Sequence, residues 1–281
     1  MSTALLEATG LGYRYSPDRW ALRDISLGIS PGERVAVLGA NGAGKSTLLL
    51  ALAGALPLTE GQLQWEGQPG KSRSFLRDKV GLLLQDAEDQ LFAPTVEQDV
   101  AFGLLQRGLP GGIAGSALDR LHIAHLAKRP VQQLSLGEKK RVALAGLIVL
   151  RPALLLLDEP SSGLDHDGTR ALFDVLSELQ ADGTAVVLST HDANLAAQWT
   201  KRVVVLERGR IAGDGAREDI LSDRTILERA RLAPPLIYVA ALALRELYPP
   251  SAEWPLPATP LELVEFVRRI RRAATTWATE P

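Results

Sequence analysis

The sequence predicts an α/β fold that carries an inserted helical subdomain and a C-terminal helical extension. Short runs of Val and Leu alternate with segments whose apolar residues recur at helical spacing, which is typical of a buried parallel sheet covered by helices. Residues 86–149 contain no strand-like run, and the pattern turns helical again from Arg217. We therefore expect a first domain over residues 1–218, with the helical subdomain at about 86–149, and a helical extension over 219–281.

The predicted strands and helices of the first domain follow one another along the chain. The strands are near-continuously apolar, as expected when helices cover both faces of a sheet. They span residues 34–38, 79–84, 154–157, 185–189 and 202–206. The helices that alternate with them span residues 45–53, 136–150 and 167–179.

Helix-capping residues organise the two remaining regions. In the subdomain, Thr95 and Ser135 are suited to cap helices on either side of the Gly-Gly pair at 111–112. In the extension, we expect Ser222 to cap a helix that runs to residue 231, and Pro234-Pro235 to open another. Thr259 begins the sequence T-P-L-E, which has capping-box spacing with proline at the first helical position.

Composition limits the classes of partner. The chain has 31 Lys and Arg against 33 Asp and Glu, a net charge of -2, so no bulk field attracts it to nucleic acid or anionic lipid. The absence of Cys excludes disulfides and thiolate metal sites and fits a reducing compartment. We expect no secretion signal after Met1, and the apolar stretch 144–157 is shorter than the ~20 residues that span a bilayer. Membrane attachment then requires a specific protein partner.

A glycine-rich loop at residues 39–47 matches the pattern G-x-x-x-x-G-K-[ST] between a predicted strand and a predicted helix. Glycines let main-chain N–H groups turn toward phosphate oxygens, and the helix N-terminus favours negative charge. We expect Lys45 to contact the β and γ phosphates and Ser46 to ligate Mg²⁺. The alternative is a turn without a ligand. The predicted phosphate-binding residues are Gly39, Asn41, Gly42, Ala43, Gly44, Lys45, Ser46 and Thr47.

An apolar strand at 154–157 ends in two carboxylates, Asp158 and Glu159, followed by Pro160. Open α/β sheets bind ligands at the carboxyl ends of their strands, so both acids belong near the glycine loop. Because successive strand residues point to opposite sides, we expect different roles. Asp158 is suited to the outer shell of Mg²⁺ beside Ser46, and Glu159 is suited to be the general base for the attacking water.

The segment L-S-L-G-E-K-K-R at residues 134–141 resembles the LSGGQ signature of ABC ATPases. By itself, Ser135 is also simply a helix cap. The resemblance implies that Ser135 and Gly137 clamp the γ phosphate of ATP bound to an opposite protomer, so that two ATPase subunits must pair. Two positions depart from the pattern: Leu136 replaces the usual first Gly, and Glu138 replaces the usual Gln. These departures leave the rate of hydrolysis open, and a chain that binds ATP without hydrolysing it is a second possibility.

Three further positions are similar to functional positions of ABC ATPases. Gln85 resembles the glutamine that contacts Mg²⁺ or water, and His191 resembles the histidine that contacts the γ phosphate. Tyr15 resembles the aromatic residue that stacks on adenine. Residues 162–165 resemble the D-loop at the dimer interface. Each of the three is also a residue type found in structural roles at strand ends or on half-buried strands.

Residues 89–92 and 95–103 resemble the segment that follows this glutamine in energy-coupling-factor ATPases, and the C-terminal region is similar to that of cobalt and nickel uptake ATPases. The resemblance implies an ATPase with ATP and Mg²⁺ as ligands, working as a homodimer or with a second ABC ATPase. It also implies a transmembrane coupling subunit, a substrate-binding membrane component and a peripheral position on the cytoplasmic face of the cell membrane. The alternatives are a vitamin importer of the same type and a soluble ABC ATPase without a membrane partner.

Overall fold

The computed structural model describes residues 4–69, 73–248, 251 and 253–277, which form a six-stranded sheet, a four-stranded sheet and the helices around them. The strands are β1 (Leu6–Ser16), β2 (Arg19–Ile29), β3 (Arg34–Leu38), β4 (Glu60–Trp65), β5 (Gln68–Pro69), β6 (Val80–Leu83), β7 (Leu154–Asp158), β8 (Ala185–Thr190), β9 (Arg202–Glu207) and β10 (Arg210–Ala216). The helices are α1 (Lys45–Leu52), α2 (Arg73–Lys79), α3 (Val96–Gln106), α4 (Ala114–Arg120), α5 (Leu136–Ile148), α6 (His166–Ala181), α7 (Ala193–Trp199), α8 (Arg217–Ser222), α9 (Arg224–Arg229), α10 (Leu236–Leu247) and α11 (Pro260–Trp277).

The six-stranded sheet has the order β10-β9-β3-β8-β7-β6. Its five strands from β9 to β6 are parallel, and β10 is antiparallel to β9. These five are the strands predicted from the apolar runs, and each lies within one residue of its predicted ends. The α/β fold class is therefore confirmed.

The six-stranded sheet separates two hydrophobic cores, because alternate residues of each strand face opposite sides. On β7, Leu155 and Leu157 join the core beneath the helical subdomain, while Leu154 and Leu156 join the core that holds α1 and the four-stranded sheet. All four side chains are fully buried. Burial on both faces explains why the sequence of this strand is continuously apolar.

The four-stranded sheet, of order β2-β1-β4-β5, was not predicted. Its strands are antiparallel and have one exposed face, so polar residues interrupt the apolar pattern along β1 and β2. Register shifts between β1 and β2 interrupt it further. This sheet carries Tyr15 to the side of the molecule where the glycine loop lies.

The inserted helical subdomain consists of α3, α4, α5 and short 3-10 turns, one of which contains the Gly-Gly pair. Both predicted caps are confirmed: the Thr95 side chain accepts a hydrogen bond from Gln98 N, and the Ser135 side chain accepts one from Glu138 N. This subdomain therefore sets the position of the N-terminus of α5.

The prediction for Ser222 is wrong. Ser222 is the last residue of α8, where its hydroxyl donates to the carbonyl of Glu218, and the following Asp223 caps α9 instead. The Asp223 side chain accepts a hydrogen bond from Ile226 N, whereas Ser222 lies inside α8 and cannot cap the next helix. The predicted boundary at 218/219 lies within α8, and the division into domains stays a prediction.

The two remaining helices of the extension begin as predicted, after Pro235 and at Pro260. The Thr259 hydroxyl accepts from Glu262 N, while the Glu262 carboxylate accepts from Ala258 N rather than from the capping residue. Tyr238 of α10 is fully buried in the same core as the helical subdomain. Apolar packing thus joins α10 to the earlier part of the chain.

Candidate active site

The glycine loop connects the end of β3 to the start of α1, so the amides of the first turn of α1 point toward it. Gly42 and Gly44 have φ values of 80° and 107°, which only glycine adopts without strain. A Cβ at Gly39 would lie 2.7 Å from the carbonyl oxygen of Leu206, and one at Gly44 would lie 2.9 Å from that of Ala21. The loop therefore needs glycine both for its turns and for its close approach to neighbouring strands.

Lys45 is a buried cation at the first position of α1. Its Nζ donates a 2.8 Å hydrogen bond to the carbonyl of Gly39 and lies 3.6 Å from Oε1 of Glu159. The loop and the acidic residue thus hold the lysine between them. Its position offers a fixed positive charge to an anionic ligand of the loop.

Asp158 and Glu159 lie on the same side of the sheet edge. Strand alternation does not continue to Glu159, because β7 ends at Asp158 and Glu159 has a φ of 45°; the different roles expected for the two acids stay a prediction. This left-handed turn redirects the chain and brings the Glu159 carboxylate toward the glycine loop. Both residues are buried, with exposed fractions of 3% and 8%.

Two residues of the neighbouring β8 region hold the acids in place. The buried hydroxyl of Ser189 donates to Oδ1 of Asp158 and accepts from Glu159 N at 3.3 Å. Nδ1 of His191 lies 2.9 Å from Oε1 of Glu159, and the His191 ring is 63% exposed. Sequence analysis identified His191 but missed Ser189, because a single polar residue at the end of an apolar strand carries no distinctive signal.

One cavity of about 630 Å³ unites most of the predicted residues. Ten of the predicted site residues line it: Tyr15, Asn41, Gly42, Gly44, Lys45, Ser46, Thr47, Gln85, Asp158 and Glu159. Gly39 and Ala43 complete the loop behind the lining. Further lining residues were not predicted from the sequence, and they lie at the start of β2 and on the β9–β10 turn: Arg19, Trp20, Ala21, Arg208 and Gly209.

The donor set of this cavity fits a magnesium nucleoside triphosphate. The glycine loop supplies a cradle that a side chain would fill, and Lys45 supplies a buried positive charge. The Ser46 hydroxyl, the Gln85 amide and the Asp158 carboxylate add to the lining the oxygen ligands that Mg²⁺ prefers.

Tyr15 lies at the outer rim of the cavity with its side chain 57% exposed. Its hydroxyl is 3.0 Å from Oγ1 of Thr47, and its ring contacts Tyr13 edge to face. An exposed aromatic face beside a phosphate-binding loop is suited to stack on a base.

Ser135 and Gly137 do not line the 630 Å³ cavity. They lie with Leu136 on a separate cavity of about 300 Å³, at the N-terminus of α5. Glu138 completes the capping box, since its Oε2 accepts from Ser135 N at 2.7 Å, and this hydrogen bond lowers the pKa of the Glu138 carboxyl. The glycine-loop half and the signature half of the predicted site therefore lie on separate cavities within one chain.

Leu136 is accommodated because its neighbour is a glycine. A Cβ at Gly163 would lie 2.5 Å from Cδ2 of Leu136, so the leucine occupies space that any other residue at 163 would need. Gly163 has a φ of 75° and belongs to the predicted D-loop. The larger side chain thus leaves Ser135 and Gly137 in place.

Lys140 is a buried residue of α5 to which sequence analysis gave no role. Its Nζ donates to the carbonyls of Glu159, at 3.2 Å, and of Ser162. Burial lowers the pKa of the Lys140 ammonium, while the charges of Glu159, Asp86 and Asp158 act in the opposite direction.

In the part of the chain that the structure describes, no group of three or more His, Cys, Asp and Glu side chains is placed to hold a metal ion. Of the described helices, none combines the length and hydropathy needed to cross a membrane.

The chain is similar in sequence to a known family and to several known proteins. The family described as "ABC transporter" matches residues 22–162, from β2 to the residues that follow Glu159. The cobalt import ATP-binding protein CbiO of Rhodobacter capsulatus is 45% identical over 265 residues, which cover 92% of this chain and 95% of that protein. The energy-coupling factor transporter ATP-binding protein EcfA2 of Methanospirillum hungatei is 39% identical over 273 residues, covering 94% of this chain and 68% of that protein.

Among solved structures, CbiO1 of Clostridium perfringens, described as part of the ABC transporter complex cbiONQ, has a TM-score of 0.72. It is 34% identical, and the alignment covers 82% of this chain and 95% of CbiO1.

Proposed function

The chain belongs to the ABC transporter family of ATP-binding proteins, and we propose that it is the ATP-hydrolysing subunit of an energy-coupling-factor importer. The observation that carries this proposal is the contact series Lys45–Glu159–His191, with distances of 3.6 Å and 2.9 Å at the glycine loop. Such a series joins a cation and a carboxylate that line the cavity to a histidine that contacts the carboxylate. Hydrolysis of a phosphoanhydride needs these groups together.

In the proposed reaction, the loop amides and Lys45 bind the β and γ phosphates. Ser46, Asp158 and Gln85 would hold Mg²⁺, which would supply positive charge to offset that of the phosphates. Glu159 orients a water in line with the γ phosphorus and accepts its proton, so that the new bond to phosphorus forms as the bond to the leaving ADP oxygen breaks. His191 keeps Glu159 in position and contacts the γ phosphate.

Completion of the site requires a second ATPase subunit. Ser135 and Gly137 line a cavity distinct from the one beside Lys45, so we propose that they bind the γ phosphate of ATP held by an opposing chain. A homodimer is the simplest arrangement, and pairing with a second ABC ATPase is the alternative. Closure of the pair on ATP and its reopening after hydrolysis then drive the membrane subunits.

The test is Glu159→Gln in the purified full chain, assayed by phosphate release. The amide keeps the size of the side chain but cannot accept the proton, so turnover should fall at least about a hundredfold while ATP still binds. Glu246→Gln, an exposed substitution on α10, is the matched control and should leave turnover unchanged. Near-normal phosphate release by the Glu159 variant would contradict the assignment of the base.

An exposed apolar surface on the helical subdomain is the proposed docking site for the transmembrane coupling subunit. It is formed by Phe92, Phe102 and Leu105, which are 61%, 42% and 60% exposed, and the two Phe rings are 4.6 Å apart. The Asp99 carboxylate holds this surface by accepting from the amides of Phe92 and Ala93. Docking there would hold the chain on the cytoplasmic face of the cell membrane as a peripheral subunit.

Substitution of Phe92 by Asp tests the docking proposal, because a charge at the centre of an apolar contact opposes burial. The variant should lose co-purification with a multi-span membrane protein and a substrate-binding membrane component but keep its ATPase activity. Recovery of the unchanged chain only from the soluble fraction would instead favour a soluble ABC ATPase.

We propose cobalt as the transported substrate, since the relative at 45% identity is named for cobalt import. The 39% identical relative is named for an energy-coupling-factor transporter without a stated cargo, which leaves nickel and a vitamin as alternatives. Uptake of radioactive cobalt, radioactive nickel and labelled vitamins by cells with and without Glu159→Gln distinguishes them. The cargo is the solute whose uptake the variant abolishes.

A further inference from the structure

Lys140 occupies an unusual position for a lysine. It is 5% exposed, and its Nζ donates to two main-chain carbonyls, those of Glu159 at 3.2 Å and of Ser162. Both carbonyls belong to the segment that follows β7, whereas Lys140 belongs to α5. The ammonium therefore ties this helix to the chain segment that carries the proposed general base.

The residue that Lys140 holds has a strained main chain. Glu159 has a φ of 45°, a region that non-glycine residues avoid unless their surroundings enforce it. Its amide donates to the carbonyl of Ser189 at 3.2 Å and to the Ser189 hydroxyl at 3.3 Å, and its carbonyl accepts from Lys140. Its amide is thus held from β8, and its carbonyl is held by the Lys140 ammonium of α5 and, at 3.1 Å, by Ser162 N of the same turn.

We propose that Lys140 is a positioning residue for hydrolysis, which keeps Glu159 in its left-handed conformation and its carboxylate at His191 and Lys45. This inference rests on the proposed function, because it assumes that Glu159 is the base. Without the Lys140 ammonium, the carbonyl keeps the bond from Ser162 N within its own turn but loses its anchor to α5, so the Glu159 main chain can relax toward the extended region. The carboxylate then moves with it, away from the contact of 2.9 Å with His191.

The same lysine has a second consequence for the paired enzyme. Lys140 lies five residues after Ser135, on the helix whose N-terminus carries the proposed clamp for the opposing ATP. Its bonds to Glu159 and Ser162 therefore fix the clamp of one site relative to the base of the other. A movement of α5 on closure of the pair would be transmitted directly to Glu159.

The first experiment compares Lys140→Met with the unchanged full chain. Methionine keeps the length and apolar stem of lysine but lacks the ammonium that donates both hydrogen bonds, so kcat for phosphate release should fall between about tenfold and a hundredfold, as expected for a displaced base. The Kd for a fluorescent ATP analogue, measured without hydrolysis, should change less than about twofold, because Lys140 does not line the ATP cavity. Lys128→Met, an exposed substitution in the same subdomain, is the control and should leave both values unchanged.

The conservative variant Lys140→Arg retains a cation with several donors and should recover most of kcat. If the Met variant does not fold, Lys140→Gln replaces it, since the amide can donate to one carbonyl and should give an intermediate kcat with unchanged Kd. Equal loss of kcat in the Arg and Met variants, or a change confined to Kd, would overturn the proposal.

A double-mutant cycle separates this inference from the proposed function. If Lys140 acts through Glu159, then Lys140→Met should cause no further loss of kcat in the Glu159→Gln background. A full additional tenfold loss there would mean that Lys140 acts elsewhere and would overturn the inference. If Glu159→Gln abolishes turnover but Lys140→Met is fully active, only this inference fails. If Glu159→Gln is itself fully active, Glu159 is not the base, and the inference about Lys140 is overturned with that assignment.

Discussion

Replacement of Ser189 by Ala should weaken both the fold and the use of Mg²⁺. The Ser189 hydroxyl is fully buried and donates to the carboxylate of Asp158, which is 3% exposed. A hydrogen bond to a buried charged group contributes about 1.5–3 kcal/mol, and its loss leaves the carboxylate without that donor. The second bond of the hydroxyl, from Glu159 N at 3.3 Å, adds little because that amide keeps the Ser189 carbonyl. We expect a loss of about 2 kcal/mol in the free energy of unfolding.

The functional consequence follows from the position of Asp158. A hydrogen-bond partner that orients a metal ligand typically changes metal affinity by about 10- to 100-fold when it is removed. The Mg²⁺ concentration that gives half-maximal phosphate release should therefore rise by at least about tenfold, while Mg²⁺-independent binding of an ATP analogue should change little.

Urea denaturation and a Mg²⁺ titration of phosphate release measure the two effects. Ser177→Ala is the matched control, because the Ser177 hydroxyl donates only to the Phe173 carbonyl one turn earlier on α6. It should change the free energy of unfolding by less than about 0.5 kcal/mol and leave the Mg²⁺ requirement unchanged. An equally small change in the Ser189 variant, with an unchanged Mg²⁺ requirement, would refute the claim that this hydroxyl fixes Asp158.

Three further substitutions test the loop, the signature helix and the rim. Gly39→Ala places a Cβ 2.7 Å from a main-chain carbonyl of β9 and should weaken ATP binding at least about tenfold by displacing the loop. Gly112→Ala is the control, because its Cβ would have nothing within 4 Å, and it should leave ATP affinity unchanged. Equal ATP affinities of the two variants would contradict the steric argument. The Ser135 amide lowers the pKa of Glu138, so the stability advantage of the unchanged chain over Glu138→Gln should be complete above about pH 5 and should disappear as pH falls through the lowered pKa. Urea denaturation at a series of pH values measures it, and an advantage that grows on acidification would reverse the sign. Tyr15→Ala should weaken binding of an ATP analogue about tenfold through lost stacking, while Tyr15→Phe, which keeps the ring, should remain within about twofold; similar losses in both would assign the effect to the hydroxyl.

The predictions that the structure confirms depend on local patterns. The five parallel strands follow from apolar runs, because a strand buried on both faces needs apolar residues at every position. Thr95 and Ser135 cap helices because the interaction spans only three residues along the chain. The prediction for Ser222 was wrong because the neighbouring Asp223 also fits the local capping pattern and caps the helix instead.

The four-stranded sheet shows where local patterns become insufficient. In β1 and β2, one face is exposed and glycines and charged residues interrupt the alternation, so the pairing is decided by partners distant in the sequence. Strand alternation stops at Glu159, where a single left-handed residue follows the last residue of the strand. Neither the pairing of β1 and β2 nor the left-handed conformation of Glu159 can be predicted from the residues nearby in the sequence.

The burial of Lys140 was predictable only from the spacing of its apolar neighbours. Together with Ala143 and Leu144 it has the i, i+3, i+4 spacing of a buried helical face, and all three are buried. A lysine at such a position must find acceptors, but the sequence does not show that these are the carbonyls of Glu159 and Ser162, nineteen and twenty-two residues further along the chain.

The sequence by itself determined the α/β class, the glycine loop with Lys45, and the acidic pair after an apolar strand, because each rests on residues adjacent in the chain. Only the tertiary structure decided that Ser189 and Lys140 hold the acids, that Gly163 makes room for Leu136, and that the helix of Ser135 lies on a cavity apart from Lys45. Those relations join segments far apart in sequence. They are set by how the sheets and helices pack, and no run of neighbouring residues encodes them.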